Sequence, residues 1–316
     1  MKRTYGKKKN KKKIYIMNFA VFVAIILSAI FFIISNYKKP STIEDEPINE
    51  PTISSSSDIV NSDVVLSPSA IPNIKEGFDA NVSGVPVVMY HNLMEDDKKA
   101  NHPSLNNGLT ATTSEFEKHL AALRERNYSS LSLEDLVDYM KNGTEIPYKS
   151  IMLTFDDGYL SNTELAAPLL RKYGFKAVMF VITEGIDGES QPYNSDILQY
   201  VTREDMQKAS DVFTYASHAN TLDGHNNYKN LTHKQYIKEL DDGLSMLKSD
   251  FIAYPLGFNT STIIKEVKAR NYKCAFTIQN GYAKKNGDLY KIPRLYANSP
   301  MSAKKFIKLI ETGEKQ

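Results

Sequence analysis

The run SIMLTFDDGY, residues 150–159, decides how this chain is read. Ser150–Thr154 reads as a short strand, and it is soon followed by two acids and a glycine. Adjacent carboxylates at a strand end repel each other unless a cation or a shared proton lies nearby. In a strand-to-loop turn neighbouring side chains point in different directions, so one carboxylate can hold a metal while the other faces a substrate. Gly158 lets the backbone bend tightly behind them. Taken alone, Asp-Asp-Gly is also an ordinary turn.

Working outward, further strands are expected at Val85–Tyr90, Ala177–Ile182, Phe213–Ser217, Asp250–Tyr254 and Cys274–Thr277. Helical patterns fit between them. Ser114-x-x-Glu117 and Ser132-x-x-Asp135 open two helices as capping boxes, and others are expected at Glu164–Tyr173, Thr202–Lys208, Thr232–Lys248, Thr260–Arg270 and Ser302–Glu311. Strands alternating with helices predict one α/β domain on a mainly parallel sheet, either doubly wound or a barrel. His91 follows the first strand, Asp156 and Asp157 follow SIMLT, His218 follows FTYAS, and Tyr254-Pro255 closes DFIAY. In parallel α/β folds sites assemble at that carboxyl edge, so residues distant in sequence can converge.

Within Ala216–His225 (ASHANTLDGH) two of the six histidines lie seven positions apart. Two imidazoles and one carboxylate with an open position is a hydrolytic metal geometry. A lone histidine at a strand end is usually structural. The pair, combined with Asp156-Asp157, makes a metal site a real candidate.

These segments resemble the polysaccharide deacetylases, carbohydrate esterase family 4, also called the NodB-homology domain. SIMLTFDDGY resembles the family's first motif, KYGFKAVMFVIT (172–183) the strand after it, SHANTLDGH its metal-binding motif and FIAYPLG (251–257) its groove motif. PVVMYHNL (86–93) and IPRL (292–295) resemble the extracellular branch that includes the poly-N-acetylglucosamine deacetylases. The resemblance implies a distorted (β/α) barrel over 85–316 and a hydrolase using one divalent metal, Zn²⁺ being expected. Its substrate is expected to be an N-acetylglucosamine-containing polysaccharide, peptidoglycan or poly-N-acetylglucosamine. It implies Asp157 and His218 as metal ligands, Asp156 as general base and His91 as general acid. Tyr254 and Pro255 are expected to line the sugar groove, with the backbone near Tyr159 helping to hold the oxyanion.

The chain departs from the family pattern in three places. The second histidine normally follows the first by four or five positions, where Leu222 and Asp223 stand. Either His225 binds from a longer loop, or Asp223 replaces the imidazole; a neutral ligand preserves the site's charge and favours His225. Ala253 occupies the place of an arginine found beside the base in many relatives, with Arg294 the candidate substitute, although a surface arginine paired with an acid reads equally well. The C-terminal Leu-x-His motif is absent, since no histidine follows His233. That leaves His91 as the remaining strand-end acid. His102, His119 and His233 read as loop and helix residues, and the single cysteine, Cys274, as a small core hydrophobe. With one cysteine there is no intramolecular disulfide and no Cys-rich zinc site.

Residues 1–40 hold ten Lys/Arg and no acid, leaving 29 basic against 37 acidic residues in 41–316, a net of −8. An acidic body argues against nucleic acid as a partner. Residues 1–13 are a basic tail, and Ile14–Ser35 contains no charge; as a helix its 22 residues extend about 33 Å at about 1.5 Å each, matching a bilayer core. Residues 14–36 are therefore expected to be an uncleaved anchor in the cell membrane. A cleaved signal peptide would have a shorter apolar region and an A-x-A-type site. Eight positive charges before the span and two just after it keep the N-terminus cytoplasmic, with the catalytic domain outside. Ser-, Pro- and acid-rich residues 37–84 read as a tether. A wall-binding protein that kept the fold without its activity is the alternative; a tightly held metal distinguishes the two.

Overall fold

The computed structural model describes residues 79–314. The expected tail 1–13, the span 14–36 and all but the end of the tether lie outside the described residues. Among the described residues no helix is long and apolar enough to cross a membrane. The tether was expected to run to residue 84. Instead Ala80–Ser83 form a helical turn, Ala80 is fully buried, and the Tyr139 hydroxyl donates to its carbonyl at 2.7 Å. The folded part therefore begins earlier than the composition suggests.

Seven parallel strands make one continuous path. β1 is Val87–Tyr90, β5 Ser150–Phe155, β6 Ala177–Val181, β7 Phe213–Ser217, β8 Phe251–Ala253, β9 Cys274–Phe276 and β10 Leu295–Tyr296. They run in the order β10-β1-β5-β6-β7-β8-β9, while β4 (Ser129–Ser130) pairs with β5, and β2 (Asn92–Met94) with β3 (Thr110–Thr112). The sheet is rolled. Ile292 bridges to Phe276 of β9, whereas Leu295, three residues on, pairs with Val88 of β1, so one stretch meets both edges. This is the curled α/β architecture expected. β5 is buried at all six positions, as a strand covered on both faces must be.

Helices flank the strands and begin where a hydroxyl satisfies a free backbone N–H. Ser132, Thr202 and Thr232 each form a full capping box. The box expected at Ser114 is shifted: Thr112 caps the helix Thr113–Glu125, because the Ser114 hydroxyl instead donates to Asp96 at 2.5 Å. The helix expected at Glu164 starts with a wider π-turn, Asn162–Ala166, before continuing as Ala167–Tyr173.

Two apolar clusters fill the layers. The larger unites β1, β5, β6 and their helices; the smaller is tyrosine-rich, joining Ile252, Tyr254 and Tyr272 to Tyr228 and Tyr236.

Candidate active site

β5 delivers Asp156 and Asp157 at its carboxyl end. Asp157 adopts φ 73° and Gly158 φ 79°, two successive left-handed residues that swing the carboxylates apart. Aspartate tolerates that region better than most residues. At Gly158 a Cβ would also lie 2.9 Å from Val181 Cγ1, so both conformation and space require glycine.

The two carboxylates then meet different partners. Arg294, fully buried, grips Asp156 with two hydrogen bonds, 2.6 Å to Oδ1 and 2.7 Å to Oδ2. The guanidinium is itself fixed by the Thr277 carbonyl at 2.9 Å and Thr154 Oγ1 at 3.2 Å. Burial pushes the Asp156 pKa up, but Arg294 and His218 outweigh it and the net shift is downward. Asp157 has no such cation. The Nε2 atoms of His218 and His225 stand 3.5 and 3.4 Å from the same oxygen, Asp157 Oδ1.

The tautomers follow from the outer partners. His218 Nδ1 lies 2.9 Å from the Ala253 carbonyl and His225 Nδ1 3.3 Å from Asn226 Oδ1, both acceptors. In the neutral rings each Nδ1 then carries the hydrogen, leaving each Nε2 lone pair facing Asp157. Three acceptors facing one another at this range repel unless protons or a cation sit among them. Burial lowers the His218 pKa, yet Asp156 and Asp157 together raise it above the ordinary value. His225 is held lower by burial and by neighbouring His218. Asp157, His218 and His225, with donor atoms all within 4.8 Å of one another, fit a divalent metal by number, chemistry and direction.

Asp223, the alternative ligand, is exposed and accepts from Asn227 Nδ2 at 2.8 Å. The two-residue difference in spacing is absorbed by a short helix, Leu222–Asn226, which turns His225 inward and Asp223 outward. Gly224 lies inside that helix, and what it provides is room rather than flexibility. A Cβ there would fall 2.3–2.5 Å from the Glu239 carboxyl group. Glu239 in turn accepts from the Asn220 N–H (2.9 Å), the Thr221 N–H (2.8 Å) and Thr221 Oγ1 (2.8 Å), holding the loop between the two histidines.

His91 follows β1 directly. Its ring meets Tyr296 edge-on at 5.7 Å, its Nδ1 is enclosed without a hydrogen-bond partner, and Asn162 Nδ2 donates to its carbonyl at 2.8 Å. Burial lowers its pKa, and the two aspartates partly offset that. Tyr159 is half-buried and pairs with Tyr200, their rings tilted by 31° with centroids 5.3 Å apart. Burial and the Asp157 charge raise its phenol.

Tyr254 and Pro255 do not line an open groove. Both are buried, and the Tyr254 hydroxyl donates to the Tyr290 carbonyl at 3.1 Å. Tyr254 lies two residues from Ile252 and shares its face, toward the tyrosine-rich cluster. The residue of that segment that reaches solvent is Leu256.

Asn162, Glu239 and Tyr296 support the site and were not singled out from sequence. Asn162 sits in the SNTE run just past the aspartates, the one signal that pointed to it. Glu239 on its helix carries no local mark.

Residues 144–275 match the family described as Polysaccharide deacetylase. Among named relatives, the poly-beta-1,6-N-acetyl-D-glucosamine N-deacetylase of Staphylococcus aureus (strain MRSA252) is 29% identical over 199 residues, covering 59% of this chain and 67% of its own length. Among solved structures, the Streptococcus pyogenes deacetylase PplD in complex with acetate superposes with TM-score 0.60 at 25% identity, over 72% of this chain and 98% of that one. IcaB from Ammonifex degensii shares the fold with TM-score 0.59 at 22% identity, over 73% and 98%.

Proposed function

Because this chain belongs to the polysaccharide deacetylases and is an N-deacetylase, we propose that it hydrolyses the N-acetyl groups of N-acetylglucosamine units in an envelope polysaccharide, using one divalent cation, Zn²⁺. The observation that carries the metal dependence is the convergence of two imidazole Nε2 atoms on one oxygen of Asp157, 3.5 and 3.4 Å away. Poly-N-acetylglucosamine is the substrate favoured over peptidoglycan, by likeness to the Staphylococcus aureus enzyme.

Asp157, His218 and His225 would hold the cation. When bound it supplies a Lewis acid for the amide carbonyl and lowers the pKa of a coordinated water toward about 7. Arg294 keeps Asp156 ionised and aimed, so the carboxylate can take a proton from the attacking water as general base. His91, just past the neighbouring strand β1, gives a proton to the departing sugar nitrogen as the C–N bond breaks, its protonated form favoured by the charges of Asp156 and Asp157. The products are acetate and a glucosamine unit. Charge compensation supports this division: Arg294 neutralises Asp156, and Asp157 keeps its negative charge for a dication.

Asp156→Asn is expected to lower acetate release from N-acetylglucosamine oligomers by about 10²–10⁴-fold, within the range for a general base. Metal content by elemental analysis should stay at one per chain. Retained activity, or wild-type activity unaffected by a chelator, would sink the assignment. The same reading puts the domain outside the cell on the 14–36 anchor, and protease accessibility on intact cells tests it.

A further inference from the structure

Among the described residues seven large apolar side chains are exposed, and six of them lie on segments joined to those that carry the candidate site. The Leu109 carbonyl accepts from the N–H of Asn92, next to His91. Ile197 and Leu198 precede Gln199, whose carbonyl accepts from Leu160 just beyond the aspartates. Leu222 opens the helix that carries His225. Leu256 lies three residues past Ala253, whose carbonyl holds His218, and Ile278 follows Thr277, whose carbonyl holds Arg294. Each is tied within a few residues to a group that shapes the site.

Two of them are built to face outward. Leu256 adopts φ 54°, a left-handed conformation unfavourable for leucine, and is 39% exposed. Ile278, 49% exposed, covers Gly257 so closely that a Cβ there would lie 2.3 Å from its Cγ1. The helix Leu222–Asn226 packs against this same corner. Among the described residues the large apolar side chains in the exposed class are all aliphatic, while the aromatic rings near the site, such as Tyr159 and Tyr296, are half-buried.

We propose that this aliphatic rim recognises the N-acetyl methyl groups of the sugars flanking the one being hydrolysed, so that fully acetylated stretches are the preferred substrate. The inference rests on the deacetylase reading. A polymer of N-acetylated hexosamines carries one methyl per unit, and removing methyls from water against leucine and isoleucine is favourable. A deacetylated neighbour presents an ammonium group, which loses hydration there without a partner. The rim lies on both the His91 side and the His225 side, as a strand of polymer crossing the site requires. A bilayer or a second protein seated on it would close the site to a polymer.

The full-length protein is assayed for acetate release on three substrates: fully acetylated N-acetylglucosamine oligomers, half-deacetylated oligomers of equal length, and the N-acetylglucosamine monosaccharide. Wild type is expected to favour the fully acetylated oligomer over the half-deacetylated one by about tenfold in kcat/KM, the scale of a few methyl contacts. Leu256→Asn combined with Ile278→Thr should bring that ratio to about two, with monosaccharide activity unchanged. Asparagine accepts the left-handed backbone at 256. Leu109→Ser, on the opposite side, provides the same reading independently should the double variant fold poorly. A wild-type ratio near one overturns the inference while leaving the deacetylase reading intact. So does a ratio that neither variant changes, the outcome if the rim serves a lipid surface or a second copy. No acetate from any of the three substrates removes the deacetylase reading and this inference together.

Discussion

The turn at Asp156–Gly158 and the helix Leu222–Asn226 supply different members of one candidate metal-ligand set, yet the first is held by backbone and the second largely by carboxylates from distant elements. Around the turn, Asp156 N–H bonds to the Tyr90 carbonyl at 3.0 Å and the Gly158 carbonyl accepts from Val201 at 2.9 Å. Around the helix, the Glu239 carboxylate collects three donors from residues 220 and 221, and Glu184 Oε2 accepts from the Leu222 N–H at 2.7 Å. A contiguous motif can encode the first arrangement. The second depends on side chains from other elements, chiefly Glu239, fourteen positions beyond His225 on another helix, so no contiguous motif encodes it.

Four substitutions probe the contrast, from the largest expected effect downward. Arg294→Met leaves the Asp156 charge buried without its partner and is expected to destabilise the fold by about 3–5 kcal/mol. Denaturant unfolding measures it, and a loss under 1 kcal/mol would mean that the pair is dispensable. Glu239→Ala strips three donors of their acceptor and should cost about 2–3 kcal/mol. It should also weaken zinc affinity about 10–100-fold as His225 loses its support, measured by competition with a chromophoric chelator. Gly158→Ala, which imposes left-handed strain and a contact with Val181, should cost about 1–2 kcal/mol without a comparable loss of zinc affinity. If Gly158→Ala weakened zinc binding more than Glu239→Ala, the contrast between the two sides would be reversed.

The smallest effect concerns acid. His119 is fully buried between the Tyr90 hydroxyl (3.0 Å) and the Met301 carbonyl (2.8 Å), and burial lowers its pKa below the ordinary 6.5. The unfolded chain therefore binds that proton more readily. The stability this residue contributes is present above about pH 6.5 and is lost as pH falls toward the folded value, with a slope of at most about 1.4 kcal/mol per unit. Unfolding curves for His119→Gln between pH 7 and 5 should be flatter than wild type by less than that slope.

The residues readable in advance were those that strand ends display in consecutive sequence: His91, Asp156, Asp157 and His218. Their place on a parallel sheet followed from the alternation of apolar runs with capped helices. Arg294 required more, because its partner lies 138 residues away and only the closing of the sheet brings them together. The choice of His225 over Asp223 turned on a one-turn helix capped by Thr221, which a loop reading does not contain. Tyr254 was misplaced for a simpler reason. Period-two alternation along β8 puts it on the same face as Ile252, so motif likeness suggested a groove where strand geometry dictates a core.

The stretch from Ile292 to Tyr296 joins β1 to β9 and also carries Arg294. During synthesis, β1 and β5 emerge long before it, so Asp156 has no counter-charge until nearly the whole domain has been made. Assembly of the catalytic centre is thereby tied to completion of the polypeptide. Chains cut short before residue 294 should be unable to pair Asp156 with its counter-charge.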